Sequence, residues 1–454
     1  MIKTLLNLIL IIFHLFFCSQ LLAQLISGPM LGYIEHRTAK IWCEIGAKSN
    51  ATLQFWPINK TVSPKLAFPN YHSAYDYKTV VFDLVGLEPG QEYAYQITID
   101  KKDKSERLKG TFKTQVLWKY RIPAPDFSFI AGSCNYINQP IYDRPGKPYG
   151  SDSIIFLSMA KEKAEFMLWL GDSWYTREVD FQSEWGLWNR ASRDRAVSEI
   201  QPIFRSMSHF AIWDDHDYGP NNEGLSYIFQ EESRKVFMAY TANPTYGLYD
   251  KGIYSKISYN DVDLFMMDNR TWRSSDDMLS NINNIPNSEK LMFGQEQINW
   301  LKNSLLNSYA PFKIIVTGSQ VLNEVEDGGD CFYNYPVEYN DLMNFLNVHK
   351  INGVIFLTGD KHHSEIIKKD REMAYPLYDV TVSSLTAGIS KVKKEFINQS
   401  NRIPNTLVEE HNYGRFTVSG KPKERVLQVE FVNISGQSKS KWLISENDLR
   451  YNKK

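Results

Sequence analysis

Between residues 25 and 115 apolar and polar residues alternate over short stretches, as in Lys40-Ile41-Trp42-Cys43-Glu44-Ile45 and Thr79-Val80-Val81-Phe82-Asp83-Leu84. A period of two buries one side of a strand, so this stretch predicts a strand-rich unit. Leu87-Glu88-Pro89-Gly90-Gln91 signals a tight turn, and Glu92-Tyr93-Ala94-Tyr95-Gln96-Ile97 after it predicts a strand with aromatic residues on one face, as in fibronectin-type sandwiches. The two prolines of Arg121-Ile122-Pro123-Ala124-Pro125 disfavour helix and strand alike and mark a linker. Beyond it the pattern changes to solid apolar runs at 127–131, 166–170, 210–213, 264–267, 313–316 and 354–357, separated by amphipathic stretches. Short runs without alternation are strands covered on both faces, which predicts an α/β layered core. One amphipathic stretch, 295–305, has Ile298, Leu301 and Leu305 on a single helical face. A last strand pair is expected around 426–432. The chain therefore divides into a β-sandwich over 25–120, a layered domain over 126–391 and a closing segment over 392–454.

Residues 1–23 have one cation, Lys3, then an apolar run that ends in Ala23, the layout of a secretory signal cleaved after that alanine. A membrane anchor is the competing reading. His14 and Cys18-Ser19-Gln20 interrupt the run, however, and no second span of about 18 apolar residues follows. Phe17 before Cys18 is too bulky for a lipoprotein signal. A periplasmic or secreted protein without a transmembrane segment is expected. Lys and Arg number 51 against 52 Asp and Glu, so a nonspecific grip on nucleic acid is excluded by charge. Removing the signal leaves Cys43, Cys134 and Cys331, an odd number in an oxidising compartment, so at least one is unpaired or pairs between chains.

The chemistry is concentrated after the apolar runs. Gly132-Ser133-Cys134, Gly171-Asp172-Ser173-Trp174-Tyr175, Asp214-Asp215-His216-Asp217, Asp268-Asn269-Arg270 and Gly359-Asp360-Lys361-His362-His363 each follow one directly. Ligands bind at the carboxyl ends of strands in such sheets, so five ends would meet at one cleft. Carboxylates gathered there repel one another and resist ionisation unless a cation sits among them. Imidazoles, a thiol and a phenol accompany the acids, which suits a transition metal at one position better than calcium alone. Each member also has a plainer reading. Asp172 alone is a loop opener, Cys134 a buried small residue or half of a disulfide with Cys43 or Cys331, the aspartates at 214, 215 and 217 an exposed turn, and Arg270 a salt bridge to Asp268. Their joint occurrence is what points to a site.

These phrases resemble the alkaline phosphatase D (PhoD-like) family, a branch of the calcineurin-like and purple-acid-phosphatase metallophosphoesterases. Trp213-Asp214-Asp215-His216-Asp217-Tyr218-Gly219-Pro220-Asn221-Asn222 is the most specific phrase, supported by Gly-Asp-x-x-Tyr, Gly-Asp-x-His, Ser27-Gly28-Pro29-Met30-Leu31-Gly32 and Asn412-Tyr413-Gly414. The resemblance implies a metallophosphoesterase-type core of two layered sheets with helices outside, preceded by the sandwich. It implies iron(III) held by Cys134, Asp172 and Tyr175 with His362 as a further ligand. Asp172 would bridge to one or two calcium ions, and Asp215 and Asp360 would complete their binding, calcium being favoured there over zinc or manganese. Asp214, Asp217 and His363 are less defined, the last only near the ligands. A metal-bound water would attack a small phosphate ester, with His216 binding phosphate and assisting the leaving oxygen and Arg270 on a phosphate oxygen. Selectivity would rest on Trp174, Tyr218, Trp272 and Arg273 around the cleft. Where purple phosphatases carry a Val-x-x-His phrase, Val316-Thr317-Gly318-Ser319-Gln320 has no imidazole. The acidic loop Glu324-Val325-Glu326-Asp327-Gly328-Gly329-Asp330 reads as solvated.

The alternative activity is a phosphodiesterase acting on nucleotide or lipid-derived diesters, and the alternative class is a secreted binding protein without catalysis. A serine hydrolase lacks its Gly-x-Ser-x-Gly elbow here, and no Gly-x-x-x-x-Gly-Lys-Ser/Thr loop is present.

Overall fold

The computed structural model describes residues 25–101, 105–324, 330–393 and 401–451. The expected signal at 1–23 and residues 325–329 of the acidic loop lie outside them. Eight strands come first: β1 (Leu25–Ile34), β2 (Thr38–Gly46), β3 (Ala51–Pro57), β4 (Lys65–Leu66), β5 (Phe68–Ala74), β6 (Tyr77–Val85), β7 (Glu92–Ile99) and β8 (Lys109–Lys113). The sheet β4-β3-β7-β8 packs on β1, β2, β6 and β5, with Leu53, Phe55, Tyr95 and Ile97 from one side meeting Ile41, Cys43, Val80 and Phe82 from the other. Alternation along β2 explains the two faces: Ile41, Cys43 and Ile45 enter this sandwich core, while Trp42 points the opposite way into the main core. There its indole N–H donates to the Ala239 carbonyl at 2.6 Å.

That outer face is buried because β1 is not an edge. It pairs in parallel with β11 (Ser208–Ile212), Leu31 opposite Ser208, and the sandwich strands continue a ten-stranded sheet ordered β22-β21-β20-β9-β10-β11-β1-β2-β6-β5. Strands β9 (Phe127–Gly132), β10 (Phe166–Leu170) and β11 run parallel. The closing segment adds β20 (Asn412–Ser419), β21 (Val426–Asn433) and β22 (Ser438–Ser445), all antiparallel, so it holds three strands where the sequence pattern suggested two. Gly414 inside β20 and the Ser-Lys-Ser-Lys start of β22 dilute the apolar period that a strand normally shows.

A second sheet, β12-β13-β16-β17-β19-β18, faces the first. Its members are β12 (Ser255–Tyr259), β13 (Val262–Met266), β16 (Phe312–Thr317), β17 (Val354–Thr358), β18 (Glu365–Lys369) and β19 (Leu377–Thr381), with β13, β16, β17 and β19 parallel. A small hairpin, β14 (Asn281–Ile282) with β15 (Ile285–Pro286), stands apart. Aromatic rings join the layers: Phe127 and Phe166 of the large sheet lie 4.9 and 5.3 Å from the ring of Tyr259 on β12. The helix Gln295–Leu306 buries Ile298, Leu301 and Leu305 as its period predicts. The architecture is the two-sheet layered core with helices outside, preceded by a sandwich. Its parallel strands carry the five chemistry-bearing phrases at their carboxyl ends, on one rim between the sheets.

Candidate active site

Each candidate side chain is aimed by a sharp turn at a strand end. Cys134 lies two residues past β9, Asp172 two past β10 and Asp360 two past β17. These three and His362 have left-handed backbones, with φ of 61°, 52°, 66° and 57°. Side chains avoid this region unless the surroundings enforce it, and such residues gather where function holds them. Glycines make the turns possible. A Cβ on Gly171, whose φ is +93°, would lie 2.6 Å from Asp214 Cβ, and one on Gly318 would lie 2.5 Å from Asp214 Cγ.

Three groups of ligand-type atoms result, each within 4.8 Å: Cys134, Asp172 and His362; Asp172, Asp215 and His216; Asp214, Asp330 and Asp360. Asp172 belongs to the first two. Its Oδ2 accepts the Tyr175 hydroxyl at 2.8 Å and lies 3.6 Å from Cys134 Sγ, while His362 Nε2 stands 3.2 Å from the same phenol oxygen. The Asp172 Oδ1 receives the backbone N–H of His216 at 3.3 Å. Asp215 and His216 open a one-turn helix, Asp215–Tyr218, and the His216 ring stacks on Tyr175 with centroids 4.1 Å apart. The thiol, phenol, imidazole and first acid thus lie together beyond the ends of β9, β10 and β17.

The electrostatics of this rim are unfavourable for a protein alone. Burial first, and then the charges of Asp215, Cys134, Asp214 and Asp217, raise the Asp172 carboxyl well above its usual range. Asp214 is raised by burial and by Asp330 and Asp215 although Arg270 opposes this, and Asp360 is raised by burial and by Asp330 and Asp215 against Lys361. Burial and Asp360 push the Cys134 thiol up to about 12. Asp215 and Asp330 are exceptions: burial would raise both, but His216 and Arg270 bring Asp215 below the usual value, and Arg270 and Arg273 hold Asp330 well below it. Buried acids in this number call for a cation. Two buried atoms at the rim, Asp214 Oδ2 and His216 Nδ1, have no protein partner among the described residues. A thiol, a phenol, an imidazole and a carboxylate suit iron(III), and the all-oxygen group of Asp214, Asp330 and Asp360 suits a harder ion such as calcium. The residues present therefore fit the metals the resemblance implies.

Several expectations change. Arg270, expected on a phosphate oxygen, is fully buried; its Nε donates to Asp214 at 2.7 Å and its Nη2 meets Asp330, so buried carboxylates claim the guanidinium. Its contact with Asp268 comes from the backbone N–H at 3.0 Å, not from the side chain. Asp330, read as part of a solvated loop, is buried and pairs with both Arg270 and Arg273. A Gly-Gly-Asp preceding Cys-Phe-Tyr was the available signal, masked by the three acids before it. Trp174, Tyr218 and Arg273 are buried instead of lining a cleft, and Trp272 packs against Gly252 and Gly294. Asp217 spends its carboxylate on the backbone N–H groups of Ser173 at 2.7 Å and Asp214 at 3.0 Å. His363 faces Glu365 at 3.5 Å. Cys43, Cys134 and Cys331 are all free and buried.

A two-sheet layered fold with such a rim defines the metallophosphoesterase class of architectures, and comparison with known proteins makes this specific. The model of the PhoD-like phosphatase family matches residues 189–429, and the chain belongs to that family. A domain of unknown function, DUF7800, matches residues 22–117. Alkaline phosphatase D of Bacillus subtilis (strain 168) is 23% identical over 325 residues, 62% of this chain. The chain spans about half of that relative, 52% of its length. A solved structure of PhoD superposes with a TM-score of 0.71 at 16% identity, covering 93% of this chain and 90% of the other. Purple acid phosphatase PPD1 from yellow lupin (Lupinus luteus) seeds gives a TM-score of 0.68 at 13% identity, covering 93% and 75%. Among the described residues no helix is long and apolar enough to cross a membrane.

Proposed function

We propose that the chain is an exported, metal-dependent phosphoesterase of the alkaline phosphatase D kind that hydrolyses small phosphate esters with water. The observation that carries this reading is the meeting of Cys134, Tyr175, His362 and Asp215 around the two oxygens of Asp172. Iron(III) would be held by Cys134, Asp172, Tyr175 and His362, and calcium by Asp172, Asp215 and Asp360 with Asp214 and Asp330 beside them. When bound, these ions supply positive charge that offsets the charge of the ester and renders a water molecule acidic enough to attack. The other steps belong to the chain. His216, partly exposed at the rim and stacked on Tyr175, contacts the phosphate and moves a proton to the leaving oxygen. Arg270 does not touch substrate in this reading. Its Nη2 lies 4.0 Å from Asp215, and it holds Asp214 and Asp330 in place. Residues 1–23, with their single cation and apolar run, support export.

The experiment is hydrolysis of an aryl phosphate monoester and a bis-aryl diester by the purified protein, before and after exhaustive chelation. Turnover that chelation abolishes and added metal restores supports the reading, with the preferred ester deciding between monoesterase and diesterase. Undiminished turnover in stripped protein, or none with either ester, overturns it.

A further inference from the structure

Three tyrosines pack edge to face at the thiol side of the rim, and two of them have committed their hydroxyl hydrogens. Tyr175 donates to Asp172 at 2.8 Å and Tyr136 donates to Asp143 at 2.8 Å. The third, Tyr149, lies edge-on to Tyr136 at 4.9 Å and is 48% exposed, so it reaches solvent while its neighbours do not. Its Oη stands 3.2 Å from His362 Nδ1. That nitrogen also lies 2.5 Å from the carbonyl oxygen of Gly388. A carbonyl only accepts, so Nδ1 carries the proton and directs it at Gly388. Two consequences follow. Nε2 presents its lone pair toward Tyr175 and the Asp172 group, and the Tyr149 oxygen meets Nδ1 as a second acceptor. Its own hydrogen then has no protein acceptor among the hydrogen bonds of the described residues and is left to the solvent side of the ring. The position is also built: a Cβ on Gly388 would lie 2.7 Å from Tyr149 Cε2, so the glycine is what lets the ring sit over the loop.

We propose that Tyr149 is a substrate-contacting residue whose hydroxyl donates a hydrogen bond to an oxygen of the bound phosphate group. This rests on the phosphoesterase reading above and adds a group outside the ligand set. In the same step the His362–Gly388 bond fixes the ring that Tyr149 rests on, so the donor and the rim share one anchor.

The test is binding of inorganic phosphate to the metal-loaded protein, by calorimetry, for wild type, Tyr149→Phe and Tyr142→Phe. Tyr142 lies on the same loop, is 46% exposed and serves as the control. Loss of one hydrogen bond to a charged oxygen is expected to weaken phosphate about tenfold in Tyr149→Phe. Metal content and visible spectrum should stay as in wild type, and Tyr142→Phe should bind as wild type does. Equal phosphate affinity in wild type and Tyr149→Phe overturns the assignment and leaves the phosphoesterase reading standing. Weakened binding that comes with lost metal also overturns it, since the phenol would then be acting on the ligands. No phosphate binding by wild type overturns both.

Discussion

Asp172 is buried among four other acidic groups at the rim, and its role separates stability from function. Burial and four neighbouring acidic groups disfavour its charge when no cation is bound. Asp172→Asn removes that charge and keeps the shape. In chelated protein the variant is expected to be more stable by about 1–2 kcal/mol, seen as a raised urea midpoint, while ester hydrolysis is lost. A variant that is less stable than wild type under chelation would contradict the repulsion argument. Arg270 has the opposite sign. It is buried between Asp214 and Asp330, and Arg270→Met leaves Asp214 without its guanidinium and Asp330 with Arg273 alone. A loss of roughly 3–5 kcal/mol is expected in denaturant melts, and Arg270→Lys should not restore it because a point charge cannot replace the fork. His216→Ala should fold as wild type and lower kcat by about a hundredfold or more.

Strands and their turns account for where these residues stand. Gly318, just past β16, has no space for a side chain against Asp214, so Gly318→Ala should reduce activity and metal retention together. Strand β2 carries a second device. Glu44 is fully buried, accepts from Ser192 at 2.7 Å and Tyr240 at 2.9 Å, and leaves Oε2 without a partner. Burial raises its carboxyl to about 7 although those two hydrogen bonds oppose the shift. The folded state therefore binds this proton more tightly than the unfolded chain. Its contribution is complete below about pH 4.5 and is lost as the pH rises to about 7, a change of roughly 3 kcal/mol. Urea melts across that window should slope downward more steeply for wild type than for Glu44→Gln; parallel profiles would contradict the shift. Much at this scale was legible in the sequence. The run 166–170 is strand β10 residue for residue, and the sandwich alternation and the helical face of Ile298, Leu301 and Leu305 appear as read. What was not legible depends on packing from elsewhere. Asp330 pairs with Arg270 and Arg273, 60 and 57 residues distant by number, and the acids that precede it in the sequence mask the weak Gly-Gly-Asp signal. The polar start of β22 takes its strand form from pairing with β21. Tyr149 gave no signal, since only the fold brings it to His362.

Across the whole molecule the sandwich and the layered core are joined by a shared sheet. Trp42 and Met30 of the sandwich strands lie in the main core, and β11 would become an edge without β1. A chain beginning at residue 126 is therefore expected to be insoluble or unfolded, and the full chain to melt in one cooperative transition by calorimetry. Two separated transitions would show that the sandwich is an independent attachment. This joint frame is also what fixes five strand ends from two facing sheets at one rim, the arrangement on which the proposed metal chemistry would depend. The most direct measurement is the iron content of the purified, ester-hydrolysing protein, taken together with its visible spectrum. About one iron per chain is expected, with a tyrosinate-to-iron(III) absorption that Tyr175→Phe removes; a colourless, iron-free protein with full turnover would contradict iron at the rim.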